Sequence, residues 1–196
     1  FSFVKIIIYL SLKFELNNLM KKNLILLFLV GGFILTSGTA FAQYEKGDKL
    51  LNIGIGVNSY YSGGIPFGAS FEVGVTDEIS VGGSVDYLSH NYGSVFGSDW
   101  KFTAIYIGAR GSYHFNELLN LSNENIDVYG GLTLGYRSFS WSDSAFGTGL
   151  GDSYGSGMFL GIYAAGRYYF SEKVGAFLEV GAVGSTNAKL GVAFKF

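Results

Sequence analysis

The sequence predicts an all-β chain that closes into a transmembrane, antiparallel, up-and-down barrel of eight strands, preceded by a signal peptide. Three observations predict it: a leader-like segment near the start, an apolar face recurring with period two through the rest of the chain, and the absence of charge from that face. Period two is the strand signature, because successive side chains of a strand point to opposite sides of the sheet. Composition agrees. The 196 residues are 48% hydrophobic and 17% aromatic but only 14% charged, against about 25% charged in a soluble domain.

The leader comes first. Met20-Lys21-Lys22 opens a positive start, an apolar run follows from Leu24 to Leu35, and small and polar residues lead to Ala40-Phe41-Ala42. A positive start, a short apolar stretch and an A-x-A site describe a secretory signal peptide. The run is short for a membrane-spanning helix, which needs about 20 apolar residues; the competing reading is an uncleaved anchor. Cleavage is expected after Ala42, with Ala40 and Ala42 as the small residues of the site. The expected organisation is therefore residues 1–19 as an upstream extension without function, 20–42 as signal peptide and 43–196 as the barrel domain.

Eight alternating segments follow. The first presents Leu51, Ile53, Ile55 and Val57 on one face. The second presents the odd positions from Ile65 to Val75, the third those from Ile79 to Tyr87, and the fourth those from Thr103 to Phe115. The fifth presents the even positions from Ile126 to Tyr136, the sixth those from Met158 to Phe170, the seventh those from Val174 to Ala182, and the eighth those from Leu190 to Phe196. None of these positions is charged. The opposite face is mostly Gly, Ser and Ala, with isolated charges at Glu72, Asp86, Arg110, Asp127, Arg137, Arg167, Glu179, Lys189 and Lys195. A soluble β-sandwich also alternates, but its polar face meets water and is usually rich in Lys, Glu and Thr. Small residues suit the crowded inside of a narrow barrel. A sheet in lipid must also have no edge, because lipid cannot satisfy free backbone N–H and C=O groups.

Aromatics sit where such a barrel would cross the lipid interface. Tyr113/Phe115, Tyr168/Phe170 and Phe194/Phe196 end strands at one rim, and Tyr87 and Tyr136 end strands at the other. Aromatic girdles at both rims are expected of a spanning barrel. Short turns are expected at 76–78 and 171–173, a longer connection at 116–125, and outer loops at 58–64, 89–101, 138–157 and 184–187.

The chain ends Lys189-Leu-Gly-Val-Ala-Phe194-Lys-Phe196. A polar residue, Gly two later and aromatics three and five beyond are similar to the C-terminal assembly signal of bacterial outer-membrane barrels. With the leader and the strand pattern, the mature chain resembles the small outer-membrane barrels of the OmpA-transmembrane, OmpX and OmpW type. The resemblance implies export to the outer membrane of a Gram-negative cell. It also implies recognition by the barrel-assembly machinery through Gly191, Phe194 and Phe196. It assigns no ligand, because one barrel architecture hosts many functions.

The sequence excludes several chemistries. Cys is absent and the net charge is −2, so disulfides, thiolate chemistry and nucleic-acid binding are not expected. No metal-ligand spacing is present, and no cofactor is expected. Of the two His residues, His90 falls in the second outer loop near Asp99, where it reads as a solvated residue. A barrel acyltransferase of the PagP type would pair such a His with a hydroxyl nucleophile. His114 falls on the inward face. The nine lumen charges read as a salt-bridged plug, since a barrel of eight strands is about wide enough for side chains to fill it. A narrow polar conduit is the alternative. Phe139, Trp141, Phe146 and Tyr154 give the third outer loop an aromatic content that suits an extracellular ligand; equally, Phe139 and Trp141 can continue the fifth strand above the membrane, with Trp141 pointing inward. The expectation is thus a non-enzymatic barrel with a structural, adhesion or envelope-integrity role and outer-membrane lipid as its surroundings. A channel or transporter for small solutes or apolar molecules, porin-like or OmpW-like, is the second reading.

Overall fold

A computed structural model describes residues 44–57, 59–61, 63–95, 98–142 and 155–196. The signal peptide, its cleavage site, the upstream extension, Phe146 and Tyr154 lie outside these residues. So do the side chains of Asp99 and Trp141.

The chain forms one closed sheet. Strands β1 (Lys49–Gly56), β2 (Phe67–Gly74), β3 (Ile79–Val95), β4 (Ser98–His114), β5 (Ile126–Ser142), β6 (Gly157–Tyr169), β7 (Val174–Val183) and β8 (Thr186–Lys195) follow one another in chain order. Each pairs antiparallel with the next, and β8 returns to β1 through a register from Leu50↔Lys195 to Gly56↔Lys189. Closure leaves no free edge, the condition that lipid sets on a sheet.

The alternation is realised along every strand. Ile53, Ile107, Leu134, Leu160 and Leu178 face outward and are at least half exposed. Their chain neighbours Asn52, Tyr106, Thr133, Gly161 and Glu179 lie buried inside. The polar residues are in and the aliphatic ones are out, the reverse of a water-soluble protein.

Three connections differ from the sequence reading; in one, the expected outer loop 138–157 opens with the end of β5, which carries Phe139 and Trp141 and runs to Ser142. The stretch 89–101, expected as a loop, is mostly hairpin: β3 and β4 stay in register to Asn91↔Lys101 and resume at Ser94↔Asp99 after a bulge. Ser, Asn and Tyr carry no apolar alternation, but above the membrane none is needed, and the ladder hydrogen bonds suffice. His90 is accordingly a strand residue opposite Phe102, not a loop residue. The outer connection 184–187 shrinks to Gly184-Ser185, with Gly184 at φ 65°.

Close strand packing has one clear requirement. A Cβ at Gly82 would collide with the Phe71 carbonyl oxygen and approach Glu72 Cα to 2.7 Å. Both are backbone and cannot swing aside. Gly82→Val should destabilise the barrel by about 1–3 kcal/mol, the usual cost of overpacking. Urea unfolding from lipid vesicles would check it.

Candidate functional site

The lumen begins, on the side where both described chain ends lie, with Tyr44. Its ring stacks on His114 at 3.5 Å between centroids, and its hydroxyl donates toward the carbonyls of Thr76 (2.8 Å) and Ile79 (2.6 Å). Burial raises the phenol's pKa above its ordinary value, and the charge of Asp127 adds to the rise. A residue five positions ahead of the first strand therefore caps the barrel mouth.

Beneath Tyr44 runs a continuous charged network. His114 Nδ1 lies 2.7 Å from Asp127 Oδ1, and Arg167 Nη1 donates to Asp127 Oδ2 at 2.6 Å. Arg110 Nη2 donates to Glu179 Oε1 at 2.8 Å, and Tyr129 OH donates to the same oxygen at 2.9 Å. Glu72 joins the two halves. Its Oε2 lies 3.4 Å from Arg110 Nε and 3.7 Å from Arg167 Nη2, while its Oε1 accepts from Ser112 Oγ at 2.6 Å. The Oε2 contacts are ionic and lack hydrogen-bond geometry. Arg167 lies 3.8 Å over the Tyr129 ring and Arg110 lies 4.2 Å over that of Tyr163. These charged side chains are 1% exposed or less, so each is held by partners rather than by water.

One part of the network has the outline of a hydrolytic triad. Ser80 Oγ is 3.0 Å from His114 Nε2, and His114 Nδ1 is bound to Asp127. The surroundings oppose that chemistry. Ser80 is fully buried, its hydroxyl also faces Glu72 at 3.4 Å, and Tyr44 covers the imidazole. A nucleophile needs room for an acyl carbon and donors aimed at an oxyanion. Here the neighbouring groups are a carboxylate and a ring.

Towards the other end, Lys189 pairs with Asp86. Above them comes an apolar layer of Tyr61, Leu88, Phe102, Ala104 and Tyr106, with Phe139 and Phe159 packed against it. Tyr61 belongs to the first outer loop and folds inward, its hydroxyl bonded to that of Tyr106. This is a second stopper, made of rings.

The sequence-derived charges thus fall into four groups. Glu72, Arg110, Asp127, Arg167 and Glu179 meet in one network, and Asp86 and Lys189 form a separate pair. Lys195 reaches Asp48 at 3.2 Å near the rim. Arg137 makes no ion pair among the described residues; its guanidinium lies 5.5 Å from the Phe139 ring centre. Of the terminal motif, Gly191 faces inward against Gly54, while Phe194 and the exposed Phe196 lie on the outer face. Sequence reasoning missed Tyr44, Asn52, Ser80, Ser112, Tyr129 and Tyr163. Inward parity could have flagged the last five.

A closed barrel of eight strands with an apolar, charge-free belt outside and a charged inside has the architecture of an integral outer-membrane β-barrel. No family model matches the sequence, and no curated protein matches it. Solved structures do match. The attachment invasion locus protein Ail of Yersinia pestis superposes with a TM-score of 0.50 at 15% identity, over 77% of this chain and 99% of that one. The N-terminal β-barrel domain of Pseudomonas aeruginosa OprF matches at 19% identity and TM-score 0.41, over 79% and 100%. Neisserial surface protein A matches at 18% and 0.43, over 76% and 95%. At 15% identity the likeness to Ail is one of fold.

Proposed function

We propose that this chain is a non-conducting, non-enzymatic outer-membrane barrel whose role is structural, adhesive or in envelope integrity. Its wall sits in outer-membrane lipid and its outer loops are offered to an extracellular ligand. The carrying observation is the filled lumen. The Glu179–Arg110–Glu72–Arg167–Asp127 network crosses the barrel, the Tyr61–Tyr106 layer closes one side of it, and Tyr44 closes the other. An ion would have to displace paired charges that lack water to replace their partners. Export through residues 20–42 and assembly through Gly191, Phe194 and Phe196 belong to the same reading.

Planar-bilayer recording of the inserted protein tests it. A silent membrane containing protease-protected barrel is expected. Discrete, reproducible openings whose ion selectivity changes with Glu179→Gln would replace this reading with a narrow channel.

A further inference from the structure

Among the described residues, Arg137 is the lumen cation without a carboxylate partner, and it lies beside a cavity. A space of about 330 Å³ near the outer rim is lined by Arg137, Tyr60, Tyr61, Tyr106, Phe159 and Leu160, and reaches Ala182 and Gly184. Tyr61, Tyr106 and Phe159 belong to the inner aromatic layer. Leu160 faces lipid and is 62% exposed. The cavity therefore touches both faces of the barrel wall.

The sheet explains how. The β6–β7 ladder runs only from Tyr169↔Gly175 to Tyr163↔Gly181, although β6 continues to Gly157. At the same level the β7–β8 register shifts between Val180 and Val183, and Gly181 takes φ 130°. The Tyr60 hydroxyl donates to the Gly181 carbonyl at 3.3 Å across this place. Leu160 pairs with Leu134, one outward step inside the girdle residue Tyr136. The end of the ladder thus lies at the edge of the hydrocarbon layer, where backbone groups without partners are costly.

Arg137 Nε is buried and has no hydrogen-bond partner. A guanidinium in such a place favours a planar or tetrahedral anion. The rings around it, and Leu160 leading outward, favour an apolar body attached to that anion. The volume is at the lower end of ligand pockets, and a single guanidinium matches a single charge.

We propose that this slot binds a single-headed anionic amphiphile of the surrounding leaflet. Arg137 holds its carboxylate or phosphate inside the wall, and the tail leaves past Leu160 and Ala182 into the bilayer. Tyr60 bolts the slot from the loop above. This site is independent of whether the lumen conducts.

The test uses the full protein in phosphatidylcholine nanodiscs with dodecanoate carrying a photoreactive group in its tail. Cross-links mapped by mass spectrometry are expected to concentrate on Leu160 and Ala182. Arg137→Gln should weaken labelling about tenfold or more, the loss of a hydrogen bond to a charged group, and Arg137→Lys should keep part of it. Ala182→Trp, remote from the charge, should block the slot from the lipid side. The folded state of each variant is read from its heat-dependent electrophoretic mobility. Competition by lysophosphatidate would extend the site to phosphate heads, and its failure would assign the carboxylate. Labels spread evenly around the belt, unchanged labelling of folded Arg137→Gln, or displacement by inorganic phosphate alone would each overturn the proposal.

Discussion

Replacing Glu72 with Ala will destabilise the inserted barrel by roughly 3–5 kcal/mol, the cost of leaving a buried charge without its partner. Glu72 is the member whose loss reaches furthest. Its Oε2 stands between Arg110 and Arg167, and its Oε1 accepts from Ser112. After truncation Arg110 keeps Glu179 and Arg167 keeps Asp127, but two guanidinium groups then face each other across the space the carboxylate leaves beside Ser80 and Ser112. Nothing nearby can neutralise them, because arginine does not give up its proton in proteins. Arg137→Gln supplies the contrast. It removes a lumen charge of the same kind that has no carboxylate partner, so its effect on unfolding should stay within about 0.5 kcal/mol, as for changes away from packed networks. Urea unfolding of both variants from the same vesicles decides the matter. Equal midpoints for Glu72→Ala and Arg137→Gln would mean that the network does not hold the barrel together.

The contrast shows what a linear sequence carries and what it does not. Side-chain parity is local, so the inward position of Glu72, Arg110 and Arg167 follows from counting along each strand. Their pairing is not local. Arg110 on β4 meets Glu179 on β7, and Asn52 on β1 meets Arg167 on β6. These strands are not neighbours in the sheet, and they meet only across the lumen. Which charges lie at one level depends on the stagger of all eight strands. Arg137 therefore reads as one more paired charge until the register places it above the network.

Other misses have simpler causes. Tyr44 precedes the first alternating segment, so no periodicity marks it as the cap over His114. His90 lies in a stretch of Ser, Asn, Tyr and Gly that reads as loop. Its true place on β3 is set by ladder hydrogen bonds to β4 outside the apolar belt. There the solvent no longer selects one face, and the hydrophobic signal fades while the strand continues.

The second large effect concerns the opposite face of the wall. Leu132→Arg should cost about 2–4 kcal/mol, the penalty for a charge at the middle of the lipid face of a barrel. Leu132 is 53% exposed and pairs with Gly111 on one side and Ile162 on the other, so an arginine there meets no steric obstacle. By ordinary surface rules such a change is worth no more than about 0.5 kcal/mol in either direction. The two expectations differ only in the solvent they assume. A depth series sharpens the choice: Tyr136→Arg, at the girdle of the same strand, should cost about 0–1 kcal/mol in its charge term, since the penalty falls toward the interface. Unfolding free energies measured from bilayers should therefore decline from Leu132 to Tyr136. A flat series near zero would show that lipid is not the solvent of this face. The exposed aliphatic rows of all eight strands would then need a protein partner to cover them.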